Sequence, residues 1–131
     1  MKIVLTHQES ETYFLNALYN GLGYFQSYGI EIDFKKEDYA KARKSLVKQK
    51  KSICYEDVLM EILKIGKCLL IIDNENEMRE ELEKTIKLTD VHKKVQKTPF
   101  SHLMDMINEQ DDTDTADVIL QTVFFEKVIF G

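Results

Sequence analysis

Seven aromatic side chains, Tyr13, Phe14, Tyr19, Tyr24, Phe25, Tyr28 and Phe34, fall within twenty-two positions just ahead of a basic stretch. Residues 35 to 51 hold eight Lys or Arg against Glu37 and Asp38, a local charge of +6. Aromatic faces can stack a base while Lys or Arg holds phosphate, the combination used for nucleotides and single strands. Tyr24, Tyr28, Arg43 and Lys44 are therefore the candidate ligand-binding residues, for a small anionic, nucleotide-like molecule. Core packing accounts for the aromatic residues equally well, and a solvated helix face accounts for the cations.

No catalytic constellation stands beside them. His7, His92 and His102 lack a second ligand-type residue at a spacing diagnostic of zinc, so no metal site is expected. Nothing ties Cys54, Cys68 or a serine to a histidine for nucleophilic catalysis. His7 is the best placed of the three, because loops at strand ends often carry chemistry and a strand is expected just before it. The acidic run Asp73, Glu75, Glu77, Glu80, Glu81 and Glu83 could hold a divalent cation or mimic a nucleic-acid backbone. It lacks the glycine and ligand spacing of a calcium loop, and a solvated hairpin tip is the default. Gly21-Leu22-Gly23 is not a dinucleotide fingerprint, since a helix precedes it and Gln26 takes the place of the third glycine. No cofactor is expected. Cys54 and Cys68 have no CxxC spacing and apolar neighbours, which reads as buried free thiols in a reducing cytosol.

The elements that must position these residues belong to one globular domain spanning 1–131, with 44% hydrophobic and 31% charged residues. No run is long enough to span a membrane, and Met1-Lys2 leads into Ile3-Val4-Leu5 without a signal-peptide core, so a cytoplasmic location is expected. The net charge of −5, set against the local +6, leaves −11 for the remainder. That asymmetry disfavours nonspecific duplex DNA binding and permits a local anion site.

Lys2 to Leu5 reads as a first strand, followed by polar residues from Thr6 that could cap a helix over residues 10 to 20. Asn20 to Gly23 reads as its C-cap. Tyr28, Ile30, Ile32 and Phe34 alternate with Gly29, Glu31 and Asp33 as a half-buried strand, which Tyr24 and Gln26 could extend backwards. Helical spacing returns over Lys36 to Gln49 and again from about Cys54, where Gly66 stops it. Lys67 to Asp73 is an apolar run fit for an interior strand, and Thr85 to Leu88 is the strand returning from the acidic loop. Thr89 can cap a short helix, and Thr98-Pro99 can start another with Phe100, Leu103, Met104 and Ile107 on its buried side.

The most apolar segment lies at the end. Ala116, Ile119, Leu120, Val123 and Phe124 recur at helical spacing, with Asp114 placed as the cap. Asp117 and Gln121 sit one turn apart on this helix and, if buried, need partners: a core hydrogen bond first, a subunit contact second. With Phe125 and Phe130 they are the candidate interface residues of a homo-oligomer, because apolar surfaces of this kind mark interfaces. The fold expected is α/β, more loosely α+β, with a small mixed sheet of about four strands, packed helices and a central C-terminal helix.

The order of motifs resembles a family of small uncharacterised proteins of bacteriophages, prophages and conjugative elements. The resemblance rests on Asn20-Gly21-Leu22-Gly23-Tyr24 after a helix, Glu56-Asp57-Val58-Leu59 leading to Gly66, and the strand ending in Ile72-Asp73. It extends through Thr85-Ile86-Lys87-Leu88 and the terminal Ala116-Asp117-Val118-Ile119-Leu120-Gln121 through Val128-Ile129-Phe130-Gly131. Phe25 stands where that family commonly has tryptophan, and Glu126 where a glycine is expected after Phe125. The resemblance implies a setting, the cytoplasm of a bacterial host, and brings no activity with it. The expected function is a non-enzymatic binding protein that interferes with a host process by sequestering a host protein or a small anionic ligand. A structural protein acting through homo-oligomerisation is the alternative. A nucleotide hydrolase using His7 or the acidic loop is the third reading.

Overall fold

The computed structural model describes residues 3–50, 52–74, 83–110 and 112–128. Its first helix, α1 (His7–Ser27), is the longest element. Thr6 opens it with a capping box: its hydroxyl accepts from the Glu9 amide while the Glu9 carboxylate accepts from the Thr6 amide. The strand expected over Lys2 to Leu5 is not formed at Ile3–Leu5, and Lys2 lies outside the described residues. The Leu5 amide instead donates to the Gln96 side chain at 3.0 Å, so it needs no strand partner.

The helix also runs past the glycines read as its cap. Phe14, Ala17, Leu18, Gly21 and Phe25 form one buried stripe, which takes Tyr24 and Gln26 into the helix and out of the expected strand. Gly21 is there for close approach: a Cβ at that position would lie 2.9 Å from the backbone of Ala116 and Asp117. The chain turns instead at Gly29, whose φ of 76° is open to glycine. The strand that follows, β1 (Ile30–Asp33), is correspondingly short.

Helices α2 (Lys36–Val47) and α3 (Tyr55–Lys64) pack on each other, and Gly66, at φ 87°, ends the excursion as expected. β2 (Leu69–Asp73) and β3 (Glu83–Ile86) complete the sheet. Its order is β1-β2-β3, with β2 in the centre and both pairings antiparallel; Ile32 faces Ile71, and Leu69 faces Ile86. The sheet is therefore three-stranded and antiparallel among the described residues, not the mixed four-stranded one expected, because the first expected strand is absent and no parallel crossover occurs. The acidic positions Glu75, Glu77, Glu80 and Glu81 lie outside the described residues.

Helix α4 (Leu88–Lys94) follows a short turn at Lys87, whose amide donates to Asp90, so the cap falls two residues before Thr89. A 3-10 turn at Val95–Lys97 leads to α5 (Phe100–Ile107), with Pro99 at the N-cap. Leu103 and Met106 are its buried residues, whereas Phe100 is exposed. The last helix, α6 (Thr113–Phe125), is capped by Asp112, which accepts from the Thr115 amide at 2.9 Å, and not by Asp114. Ala116, Ile119, Leu120, Val123 and Phe124 are completely buried against α1, α4 and α5, so α6 is the core of an α+β fold. Thr115, Asp117, Gln121 and Thr122 are buried as well, leaving almost no solvated face.

Candidate functional site

The α2 helix turns Ala42 and Leu46 inward against α3, and this leaves Lys41, Arg43, Lys44, Val47 and Lys48 facing solvent. Ser45 fastens the pair, donating to the Glu61 carboxylate at 2.9 Å. Where the chain leaves α2 and turns toward α3, a groove of about 630 Å³ opens, lined by Arg43, Val47, Lys48, Lys50, Ser52 and Ile53.

One wall of this groove is anchored by Asp57. Its carboxylate accepts from Lys50 Nζ at 2.8 Å, from the Cys54 amide at 3.1 Å and from the Tyr19 hydroxyl of α1. Burial by itself would raise the Asp57 pKa, but these hydrogen bonds outweigh it and hold the carboxyl well below the usual range. Burial and the bond to Asp57 push the Tyr19 phenol up, so it stays a donor. Asp57 thus offsets the charge of Lys50. Arg43 and Lys48 have no carboxylate partner among the described residues. Chemically, the groove presents Arg43 and Lys48 as cations unpaired among the described residues, a hydroxyl at Ser52 and apolar contact at Val47 and Ile53.

Tyr24 and Tyr28 are elsewhere. Position 28 lies about two and a half helical turns beyond Tyr19, on the opposite side of α1. There Tyr28 donates to Asp117 Oδ2 at 2.9 Å, Gln121 Nε2 donates to the same oxygen at 2.9 Å, and Tyr24 meets the Thr113 hydroxyl at 3.0 Å. The two tyrosine rings lie 6.5 Å apart and 18° from parallel. Burial, with the bond to Asp117, pushes the Tyr28 phenol up to about 12. Burial also raises the Asp117 carboxyl, against the opposing bonds from Tyr28 and Gln121. Asp117 Oδ1 is buried with no hydrogen-bond partner among the described residues.

The four expected ligand residues are therefore divided between two places. Arg43 lines the groove and Lys44 is exposed on the same helix, while Tyr24 and Tyr28 join Asp117 and Gln121. Those last two occupy the core hydrogen bond that was the first reading of them, and a subunit contact would need them at the surface. Phe125 is half-buried with its ring edge-on to Phe124 at 6.4 Å, and Phe130 lies outside the described residues. Lys48, Lys50, Tyr19 and Asp57 were not singled out as site residues. Asp57, three residues after Cys54, sits at the acidic position of a capping box, and that spacing was the available signal.

The remaining candidates disperse. His7 starts α1 instead of following a strand; its ring stacks on His92 at 3.9 Å and 7°, and His92 Nε2 lies 2.8 Å from Glu11 Oε2. His102 Nδ1 pairs with the Thr115 hydroxyl at 3.2 Å. Cys54 and Cys68 are free but exposed, contrary to the buried placement expected, because one caps α3 and the other lies in the turn before β2. Among the described residues, no group of three or more His, Cys, Asp or Glu could hold a metal, and no helix is long and apolar enough to cross a membrane. In comparisons with known proteins, no family model, no curated protein and no solved structure matches the chain.

Proposed function

We propose that this chain is a non-enzymatic binding protein of a phage or mobile element, which interferes with a host process by sequestering a host protein or a small anionic ligand. The observation that carries the binding reading is the groove of about 630 Å³ at the end of α2, where Arg43 and Lys48 face solvent without a carboxylate partner among the described residues. Among the described residues no internal ion pair has to be broken for such cations to take an anion, and an incoming carboxylate or phosphate gains charge-assisted hydrogen bonds from them. The phage setting comes from the sequence resemblance alone. Assembly through the terminal helix has less support, because α1, α4 and α5 already cover α6 within one chain. Hydrolysis draws no support from His7, whose ring is stacked on His92.

Isothermal titration against a panel of nucleotides and cyclic nucleotides tests the small-ligand form, with Arg43→Ala/Lys48→Ala as the paired variant. Binding tighter than millimolar that disappears in the variant supports it. If no member of the panel binds, a pull-down comparing the wild type with the same variant tests the protein form. A partner retained equally by both proteins removes the groove from the reading.

A further inference from the structure

A second cleft, of about 360 Å³, lies between the C-terminal half of α1, strand β1 and the first residues of α3. Its apolar lining comes from Phe25 and Ile30, both buried, with Leu22 and Ile32, and its polar lining includes Glu31 and Glu56. Tyr55, an exposed aromatic ring, lines the same cleft. Neither glutamate has an ion-pair partner among the described residues, and Glu31 accepts only one side-chain hydrogen bond, from Asn74 at 3.2 Å.

Gly23 adds an independent observation. It stands inside α1 and lines this cleft, yet a Cβ built on it would meet nothing within 4 Å. A glycine inside a helix costs stability relative to alanine, and here no neighbouring backbone requires it, in contrast to Gly21 two residues earlier. The position therefore leaves open space beside this wall of the cleft.

We infer that this cleft receives the side chain of an arginine or lysine from a partner polypeptide. An aliphatic stem covers the part-exposed Leu22 and Ile32 surface while the cationic head reaches Glu31 and Glu56, the division of labour that long basic side chains adopt. The ring of Tyr55 offers a cation–π contact to the same head. Two carboxylates without an ion-pair partner among the described residues disfavour an anion in this cleft, so it is distinct in ligand chemistry from the groove at Arg43. The charge of −11 outside the basic stretch assists the approach of a cationic segment.

The test is an amide NMR titration of the intact chain with the capped tripeptide acetyl-Ala-Arg-Ala-amide. A second titration uses the same peptide carrying citrulline, a neutral isostere, in place of arginine. Saturable shifts at Gly23, Glu31 and Glu56 with the arginine peptide and none with citrulline are expected. Gly23→Leu, whose Cβ would meet nothing within 4 Å and whose longer side chain adds bulk at this wall, is expected to abolish them while the rest of the spectrum is retained. Glu31→Gln/Glu56→Gln weakens binding about tenfold or more. Equal response to citrulline, shifts centred on another surface, or unchanged binding by Gly23→Leu overturns the inference. Tighter binding of spermidine than of the arginine peptide at the same amides overturns the choice of a polypeptide.

Discussion

The α-carbon of Gly21 in α1 lies so close to Ala116 in α6 that an added Cβ would sit 2.9 Å from the Ala116 carbonyl carbon and 3.0 Å from its Cβ. Backbone cannot yield there as the end of a flexible side chain would, so the two central helices hold their spacing through this glycine. Gly21→Ala is expected to destabilise the fold by about 2 kcal/mol or more through overpacking. Gly23→Ala, with open space around it, is expected to stabilise by about 1 kcal/mol through helix propensity. Denaturant unfolding of the two variants reads both signs, and equal effects would show that the helices are not held this way.

Asp57 ties three segments together, and its loss should be felt in both stability and pH dependence. Asp57→Asn weakens the bonds to Lys50, Tyr19 and the Cys54 amide and is expected to cost about 1–3 kcal/mol near neutral pH. The folded pKa lies below the unfolded one, so the contribution is complete above the unfolded carboxylate range and is lost as pH falls below about 4. Unfolding curves for wild type and variant should therefore converge on acidification. A gap that stays constant with pH would show that the charge is not what stabilises.

Asp117 carries the opposite sign. Burial raises its folded pKa, so its stabilising contribution is complete below the unfolded carboxylate range and is lost as pH rises through the folded value. Asp117→Asn removes the desolvation penalty of the charged form, and its stability relative to wild type is expected to improve from pH 3 to pH 7. Thermal melts across that range measure the trend, and a relative stability that falls with pH would contradict the buried charge.

Glu126 holds the left-handed conformation at the end of α6, with φ of 67°, a conformation that favours glycine. Its carboxylate meets Lys94 Nζ at 3.0 Å, an ion pair that can offset part of the cost of this backbone conformation. Lys94→Ala is therefore expected to lower the melting temperature more in the wild-type background than in Glu126→Gly. Glu126→Val, β-branched and unable to bond Lys94, is expected to be the least stable of the set. Equal effects of Lys94→Ala in both backgrounds would remove the ion pair as the compensation.

Much of the local structure was legible in the residues themselves. The stripe Ala116, Ile119, Leu120, Val123 and Phe124 marked a central helix, Gly66 marked the end of α3, and the apolar run to Asp73 marked the interior strand. These signals act within a few positions, through side-chain period, left-handed glycine and capping hydrogen bonds. For the same reason the reading failed where the partner is distant. Gly21 looks like a helix terminator until α6 is laid against it, and Tyr24 to Tyr28 alternate as a strand would until the buried stripe through Phe25 extends the helix.

The candidate sites were legible only as residue types. The local charge of +6 located the basic helix, but its spacing could not tell which cations Asp57 compensates. Tyr28 and Asp117 are 89 positions apart, and their hydrogen bond exists only because Gly21 lets α1 and α6 close on each other. By itself the sequence determined most of the helices, the central strand β2 and the apolar stripe of α6. The tertiary structure alone decided that Tyr28 joins Asp117 at α6 while Arg43 and Lys48 face solvent. Side-chain partnership depends on contacts between segments, and no local period encodes those.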